Sequence, residues 1–417
     1  MNVLIKSATI VDSDSDFHNE TVDILIEKGT IRNIANSIKN QNNYKEVSFE
    51  NLHVSQGWFD SSVSFGEPGY EERETIINGL KTAAKSGFTS VALNPNTKPI
   101  IDTSSDVAFV KSKATGHPVD LYPLGALTKN SEGVDLAELF DMKNAGAVAF
   151  VDYQNPITNP NLLKIALQYA DNFDGLVLSF PQESQISGFG VMNENEMSTS
   201  LGLKGNPSLA EDLQIARDLS ILEYTNGQLH VPTISTAKSV ELIREAKKKN
   251  LNISCSVAVH NLILTDAELN EFETKYKVLP PLRTQSDIDA LIIGLKDGTI
   301  DMVTSDHNPI DVEHKKIEFD FAKYGTIGLE SAFGALNSIL TLKKSVELLT
   351  NGKKRFGIKT SPIAVGNSAN ISLFNPKGAF RFSSEHIYSA SENAIFEGKT
   401  LKGKVYGIVN KNQLVLN

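Results

Sequence analysis

One cysteine and one tryptophan in 417 residues remove two classes of protein at the outset. A lone thiol excludes a disulfide framework and a thiolate metal cluster. Cys255 lies in the apolar run 252–259 and reads as a small buried hydrophobe. An excess of basic charge is also missing. Forty Lys and Arg stand against fifty Asp and Glu, a net charge of −10, which speaks against a nucleic-acid partner. The short basic runs 247–249 and 353–355 read as solvated charge. No apolar run approaches the ~20 residues of a membrane span, and Met1-Asn2-Val3-Leu4-Ile5-Lys6 has neither a charged leader nor a cleavage site. The expectation is a soluble, cytoplasmic protein with no membrane partner.

What is present is ordinary globular composition, 40% hydrophobic and 22% charged, enough for a packed core. Short strand patterns, separated by turn residues, occupy 3–5, 8–11, 23–27 and 30–34, and again 371–374, 394–396, 404–409 and 414–416. Two β-rich ends around a different middle predict that the termini pair into one small β-domain. The middle alternates strands at 58–64, 89–94, 119–125, 147–152, 176–180, 228–234, 252–259 and 300–305 with helical patterns. Ile288, Leu291, Ile292 and Leu295 share one helix face, between Thr284-x-x-Asp287 and Gly298. Ser208-x-x-Glu211 looks like a second helix start, and Ile76, Ile77, Leu80, Ala83 and Ala84 form a comparable stripe. Eight strand–helix alternations predict a (β/α)8 barrel. A doubly wound sheet is the alternative, weakened by the lack of a glycine-rich dinucleotide fingerprint. In a barrel, function sits at the C-terminal strand ends, here Ser62, Ser64, Asn94 to Asn96, Asp152, Ser179, Thr233, His260 and Asp306-His307.

The run from Gly57 to Gly69, through Asp60, Ser62, Ser64 and Glu67-Pro68-Gly69, resembles the opening motif G-F-x-D-x-H-x-H-x-R-E-P-G of dihydroorotases. These belong to the amidohydrolase superfamily. Asn94-Pro95-Asn96-Thr97, Pro280-Pro281-Leu282-Arg283, residues 294–301, Asp306-His307 and Gly328-Leu329-Glu330 resemble further family segments in order along nearly the whole chain. The resemblance implies an α/β fold: a TIM-type (β/α)8 barrel at 56–360, with a β-sandwich built from 1–55 and 361–417.

The resemblance also implies two zinc ions held by four histidines and two acidic or carboxylated positions. Those positions here are Ser62, Ser64, Asp152, Ser179, Thr233 and Asp306, so every imidazole is replaced by a hydroxyl. Catalytic zinc sites use three or more protein ligands, usually with nitrogen or sulfur among them. Without such a site, water keeps its high pKa and Asp306, the family's general base, has no activated nucleophile to serve. Of the substrate contacts only Asn96 is retained. Gly66 stands in place of a carboxylate-clamping arginine, Leu279 of an asparagine and Ile310 of a histidine. Asp306 could instead cap a strand-end loop, and Asp152, followed by Tyr153 where the family often has a second Asp, could bond backbone. His230 reads as a packing residue, and His260 and His307 match positions that are not ligands. Lys98 lies near the expected mouth.

Three functions follow as expectations. The first is a non-catalytic dihydroorotase homologue, without bound cofactor, acting as a structural or regulatory partner of aspartate transcarbamoylase. The second is an active dihydroorotase or related cyclic amidohydrolase. The third is a repurposed pocket in which Asp152 and Asp306 hold a hard cation or another small ligand. A homo-oligomer is expected by analogy with the family.

Overall fold

The computed structural model describes all residues, Met1–Asn417. Eight strands in the middle of the chain, all parallel, follow one another in sheet order: Trp58–Val63, Phe88–Leu93, Asp120–Gly125, Ala149–Phe150, Val177–Leu178, Leu229–Val231, Ile253–Ala258 and Met302–Thr304. They are called the first to eighth barrel strands below. The ring closes where Val63 bridges to His307 and where Ser64 N–H donates to the His307 carbonyl at 2.7 Å. The middle of the chain is therefore a (β/α)8 barrel, and every strand expected there is present, most of them shorter than the apolar runs that announce them. The doubly wound alternative is excluded by closure. No helix is long and apolar enough to cross a membrane.

The termini hydrogen-bond into one eight-stranded mixed sheet, joined where His53–Gln56 runs antiparallel to Ile371–Arg381. This β-domain has its own core of Val3, Ile5, Ile24, Ile371 and similar residues. Trp58 ties it to the barrel. Its ring stacks on Phe333 at 4.8 Å and lies 5.4 Å from Phe374, while its Nε1 donates to Ser55. The expected strand at 394–396 is not one: Ala394 makes a single bridge to Ile327, and the segment packs its apolar side chains into the barrel's core.

Helix Gln285–Asp297 carries the expected capping box of Thr284 and Asp287 and ends at Gly298 in the left-handed region. The start at Ser208 differs. Helix Ser208–Thr225 is preceded by Pro207 with no side-chain cap, and Glu211 turns inward to bond Ser235, Thr236 and Ser239. In helix Ile76–Lys85, Ile77 points outward while Ile76, Leu80, Ala83 and Ala84 are buried. The basic run 353–355 is also corrected. Lys353 is only 3% exposed and donates to the Gly57 carbonyl at 2.6 Å, and Arg355 donates to the carbonyls of Leu229 and Asn252. These cations satisfy backbone carbonyls that the barrel's floor leaves unpaired. Cys255 is fully buried, as expected.

Candidate functional site

Three strand ends shape the barrel centre, and each ends on a strained backbone. Tyr153, Thr233 and Asp306, just past the fourth, sixth and eighth strands, have φ of 51°, 49° and 49°. Non-glycine residues enter that left-handed region at a cost of about 1–3 kcal/mol, and such residues cluster at functional sites.

The side chains close it. Ser62 Oγ donates to Asp306 Oδ1 at 3.3 Å, and Asn94 Nδ2 donates to the hydroxyls of Ser62 and Ser64 at 3.0 and 3.2 Å. Ser62, Asn94, Tyr153, Thr233 and Asp306 surround a cavity of only about 20 Å³, room for about one water molecule. Tyr153 fills the space above it. Its hydroxyl is buried beside Ser64 and the Asp306 carboxylate and has no hydrogen-bond partner. Burial, with the Asp306 charge adding to it, pushes that phenol well above its ordinary range.

The two carboxylates do not face each other. Asp152 accepts from the backbone N–H groups of Leu127 and Thr128, both at 2.9 Å, and from the Thr128 hydroxyl. Both its oxygens are occupied by the loop after the third strand, and it does not line the cavity. Asp306 is different: buried, with only the long bond from Ser62. Burial, then repulsion from Asp60, raises its pKa to about 7. Asp306 is no loop cap, because that task falls to Asp60, which accepts from Thr304 Oγ1, Ser305 N–H and Ser62 N–H.

Ser179 turns away as well. Its hydroxyl donates to Asp218 at 2.6 Å, and Arg217 holds the same carboxylate at 2.8–2.9 Å. His230 lies between the hydroxyls of Ser254 and Ser256, and burial drives its pKa down to about 3. His307 Nδ1 accepts from Gly328 N–H, while its Nε2 and that of His260 are buried without partners. Of the six positions named from the sequence, the structure brings Ser62, Thr233 and Asp306 to the cavity, links Ser64 through Asn94, and directs Asp152 and Ser179 elsewhere.

These residues do not fit zinc. No group of three or more His, Cys, Asp or Glu is placed to hold a metal ion. Beside Asp306 the cavity is lined by hydroxyls, the Asn94 and Gln154 amides, the Tyr153 ring and the His230 ring, both of whose nitrogens are taken by Ser254 and Ser256. A hard cation shared by Asp152 and Asp306 is excluded on the same geometry, since Asp152 is saturated by protein donors and only Asp306 reaches the cavity.

Outside Tyr153 a second space opens at the barrel mouth, about 580 Å³, lined in part by Asn96, Leu279 and Ile310. Tyr153 and Gln154 border both spaces, and Gln154 Nε2 donates to the Leu279 carbonyl at 3.0 Å, fastening the partition across the mouth. Asn96 Oδ1 is buried there without a partner. Gly66 has no room for a side chain: a Cβ would lie 1.8 Å from the Tyr70 carbonyl oxygen. Lys98 is exposed and lies outside the lining. Sequence reasoning missed the partition. The signal available was Tyr153 itself, a bulky aromatic after Asp152 where a second acid was expected.

Comparison with known proteins agrees with this architecture. A family profile described as "Dihydro-orotase-like" matches residues 53–239. The chain is 38% identical to a protein named dihydroorotase from Pelotomaculum thermopropionicum, covering 100% of this chain and 99% of that one. It is 39% identical to another of that name from Thermoanaerobacter sp., covering 97% and 95%. Among solved structures, an L-hydantoinase from Arthrobacter aurescens superposes with a TM-score of 0.86 at 22% identity, over 100% of this chain and 96% of that one. A dihydropyrimidinase from Brevibacillus agri gives 0.83 at 23%, over 100% and 95%. At those identities the likeness is one of fold.

Proposed function

The chain belongs to the dihydroorotase family of the amidohydrolase superfamily, and from that premise we propose that it serves pyrimidine biosynthesis through its scaffold, without hydrolysis at the barrel centre. One observation carries this reading: the centre is a closed, water-sized space beneath Tyr153, with hydroxyls in place of metal ligands. A hydrolytic site needs an activated water, and Asp306 alone, with its pKa near 7, does not generate hydroxide. For a scaffold of this kind the proposed role is that of a structural or regulatory partner of aspartate transcarbamoylase, the function the sequence resemblance suggests.

The relatives favour a second reading. They are named dihydroorotase and match over nearly the full chain, which supports an active enzyme opening a cyclic amide C–N bond and lends nothing to the partner role. Elemental analysis of protein purified without chelator, with a dihydroorotate turnover assay, separates the two. Zinc far below one equivalent per chain and no turnover above buffer are expected. Zinc near two equivalents, or measurable turnover, establishes the second reading. The partner role is tested by size analysis of the chain mixed with aspartate transcarbamoylase at micromolar concentration, and two separately eluting proteins would end it.

A further inference from the structure

Away from the barrel centre, one stretch of surface chain is held down by buried acids. Residues 383–393 run between the buried Phe382 and the buried Ala394, Ile395 and Phe396, and stay partly exposed themselves. Their middle is bonded to the starts of helices Ile76–Lys85 and Leu329–Ile339. Glu330 Oε1 accepts from Tyr388 N–H at 3.2 Å, Ser389 N–H at 3.0 Å and Ser389 Oγ at 2.7 Å. Glu74 Oε2 accepts from Ala390 N–H at 3.0 Å, and its Oε1 accepts from Asn78 Nδ2, which also donates to the Tyr388 carbonyl. Three consecutive N–H groups of one strap thus end on two carboxylates.

No cation balances them. Glu74 is 0% exposed and the Glu330 side chain 1%. Arg73 directs its guanidinium to Tyr70 and Asp311, Glu67 is paired with Lys113, and Lys85 lies over the Tyr388 ring at 4.1 Å. His307 Nδ1 is 3.9 Å from Glu330 Oε2, but it accepts from Gly328 N–H, and burial keeps the ring uncharged. Within the strap, Glu385 and Glu392 are exposed, and His386 Nδ1 accepts from Ser383 N–H. Two buried acids without a cation do not both ionise cheaply. Burial raises the pKa of each, and the Glu330 charge adds to the rise at Glu74, to about 7. Of their four oxygens, Glu330 Oε2 alone has no donor, so it is the one with room for a proton.

We propose that residues 388–391 form a proton-latched strap: one proton on the Glu74 and Glu330 pair keeps it closed, and loss of that proton lets it lift. The flanking anchors confine the opening. Phe382 is buried on one side, and on the other Asn393 bonds Ile310, Gly325 and Thr326. Ser389, Ala390 and Ser391 bury little apolar surface, so lifting them costs less than unfolding the barrel. The closed strap holds the proton more tightly than the open one, so closing is strongest at low pH. It weakens by up to about tenfold per pH unit from the ordinary glutamate range to about 7, and is level above that. The latch uses nothing from the barrel centre, so it stands whether or not that centre hydrolyses.

Hydrogen exchange of the full chain tests this, read by mass spectrometry over residues 388–391 at about pH 5 and about pH 8. Rates are expressed against the same peptide unstructured at each pH, which removes the chemical pH dependence of exchange. Protection of the Tyr388, Ser389 and Ala390 amides is expected to fall at least about tenfold between the two, while helix Leu329–Ile339 stays protected. Glu330→Gln keeps the accepting oxygen and puts a neutral amide in place of the ion. It is expected to hold the low-pH protection at both pH values. Glu74→Gln removes the other charge and is expected to flatten the profile likewise, which keeps the test open should the first variant not fold. His386→Gln is expected to leave the fall unchanged. Equal protection at both pH values in the wild type, a fall that survives both glutamate substitutions, or one that His386→Gln removes would each overturn the latch. Protection lost from helix Leu329–Ile339 together with the strap would mean that the barrel unfolds, and would overturn it too.

Discussion

The two spaces at the top of the barrel share a wall and little else. Beneath Tyr153 the centre is small, closed and short of hydrogen-bond partners, with one acid driven toward neutrality. Above it the chamber is roomy and open, about 580 Å³, and lined by both polar and apolar side chains. In an ordinary strand-end site these would be one cleft, in which metal and substrate meet. Here a single aromatic side chain, on a strained backbone position, divides them. One side chain thus separates a water-sized space from an open mouth within a single barrel.

The largest expected effect comes from removing the wall. Tyr153→Ala should join the two spaces and cost about 3–5 kcal/mol of stability, as for other buried aromatic truncations. Chemical denaturation would read this, and a loss below about 1 kcal/mol would mean that Tyr153 is not the partition.

Next is the acid under it. Asp306 has a folded-state pKa of about 7 against an ordinary aspartate value near 4, so the folded state holds its proton across that window. The folded chain is therefore favoured at low pH, and stability falls as pH rises through the window from about 4 to about 7. Asp306→Asn should gain about 2–4 kcal/mol at pH 8 and nothing at pH 4. Glu74, buried and near Glu330, is also raised to about 7, so part of the slope will survive the substitution. Equal melting-temperature shifts at both pH values would refute the assignment.

A smaller effect is expected at Ser179, which tests whether it belongs to the centre at all. Ser179→Ala breaks the 2.6 Å bond to Asp218 and should cost about 1.5–3 kcal/mol, typical of bonds to charged groups, with no change in the pH dependence traced to Asp306. Coupling between the two substitutions in a double-mutant cycle would place Ser179 back in the centre. The smallest effect belongs to Tyr153→Phe. The lost hydroxyl has no partner, so unfolding free energy should change by less than about 1 kcal/mol and the partition should stand. A large loss would reveal a hydrogen bond that the structure does not contain.

Much of the fold was legible before any coordinates. Eight apolar strand patterns, each followed by a helical stripe, fall where the barrel strands lie, because burial on both faces of a parallel sheet demands such runs. Thr284 and Gly298 marked helix ends through local backbone chemistry, which does not depend on distant residues. Segment 394–396 misled for the opposite reason. An apolar run shows that it is buried but not what it pairs with, and this one is held by Ile327 and the barrel core. Lys353 misled in the same way, since a cation reads as solvated until a carbonyl such as that of Gly57 is found beside it.

At the site, the sequence alone determined which chemical groups are present: Ser62, Ser64, Ser179 and Thr233 supply hydroxyls, Asp152 and Asp306 supply acids, and no imidazole stands among them. Composition of a site is a local property, read residue by residue. Only the tertiary structure decided how those groups are used. It gave Asp152 to a neighbouring loop and Ser179 to Asp218, left Asp306 nearly alone, and set Tyr153 between a closed centre and an open mouth. Those outcomes depend on partners from distant parts of the chain, and in a buried site the partner determines whether a polar group binds a ligand, holds a proton or merely satisfies the backbone.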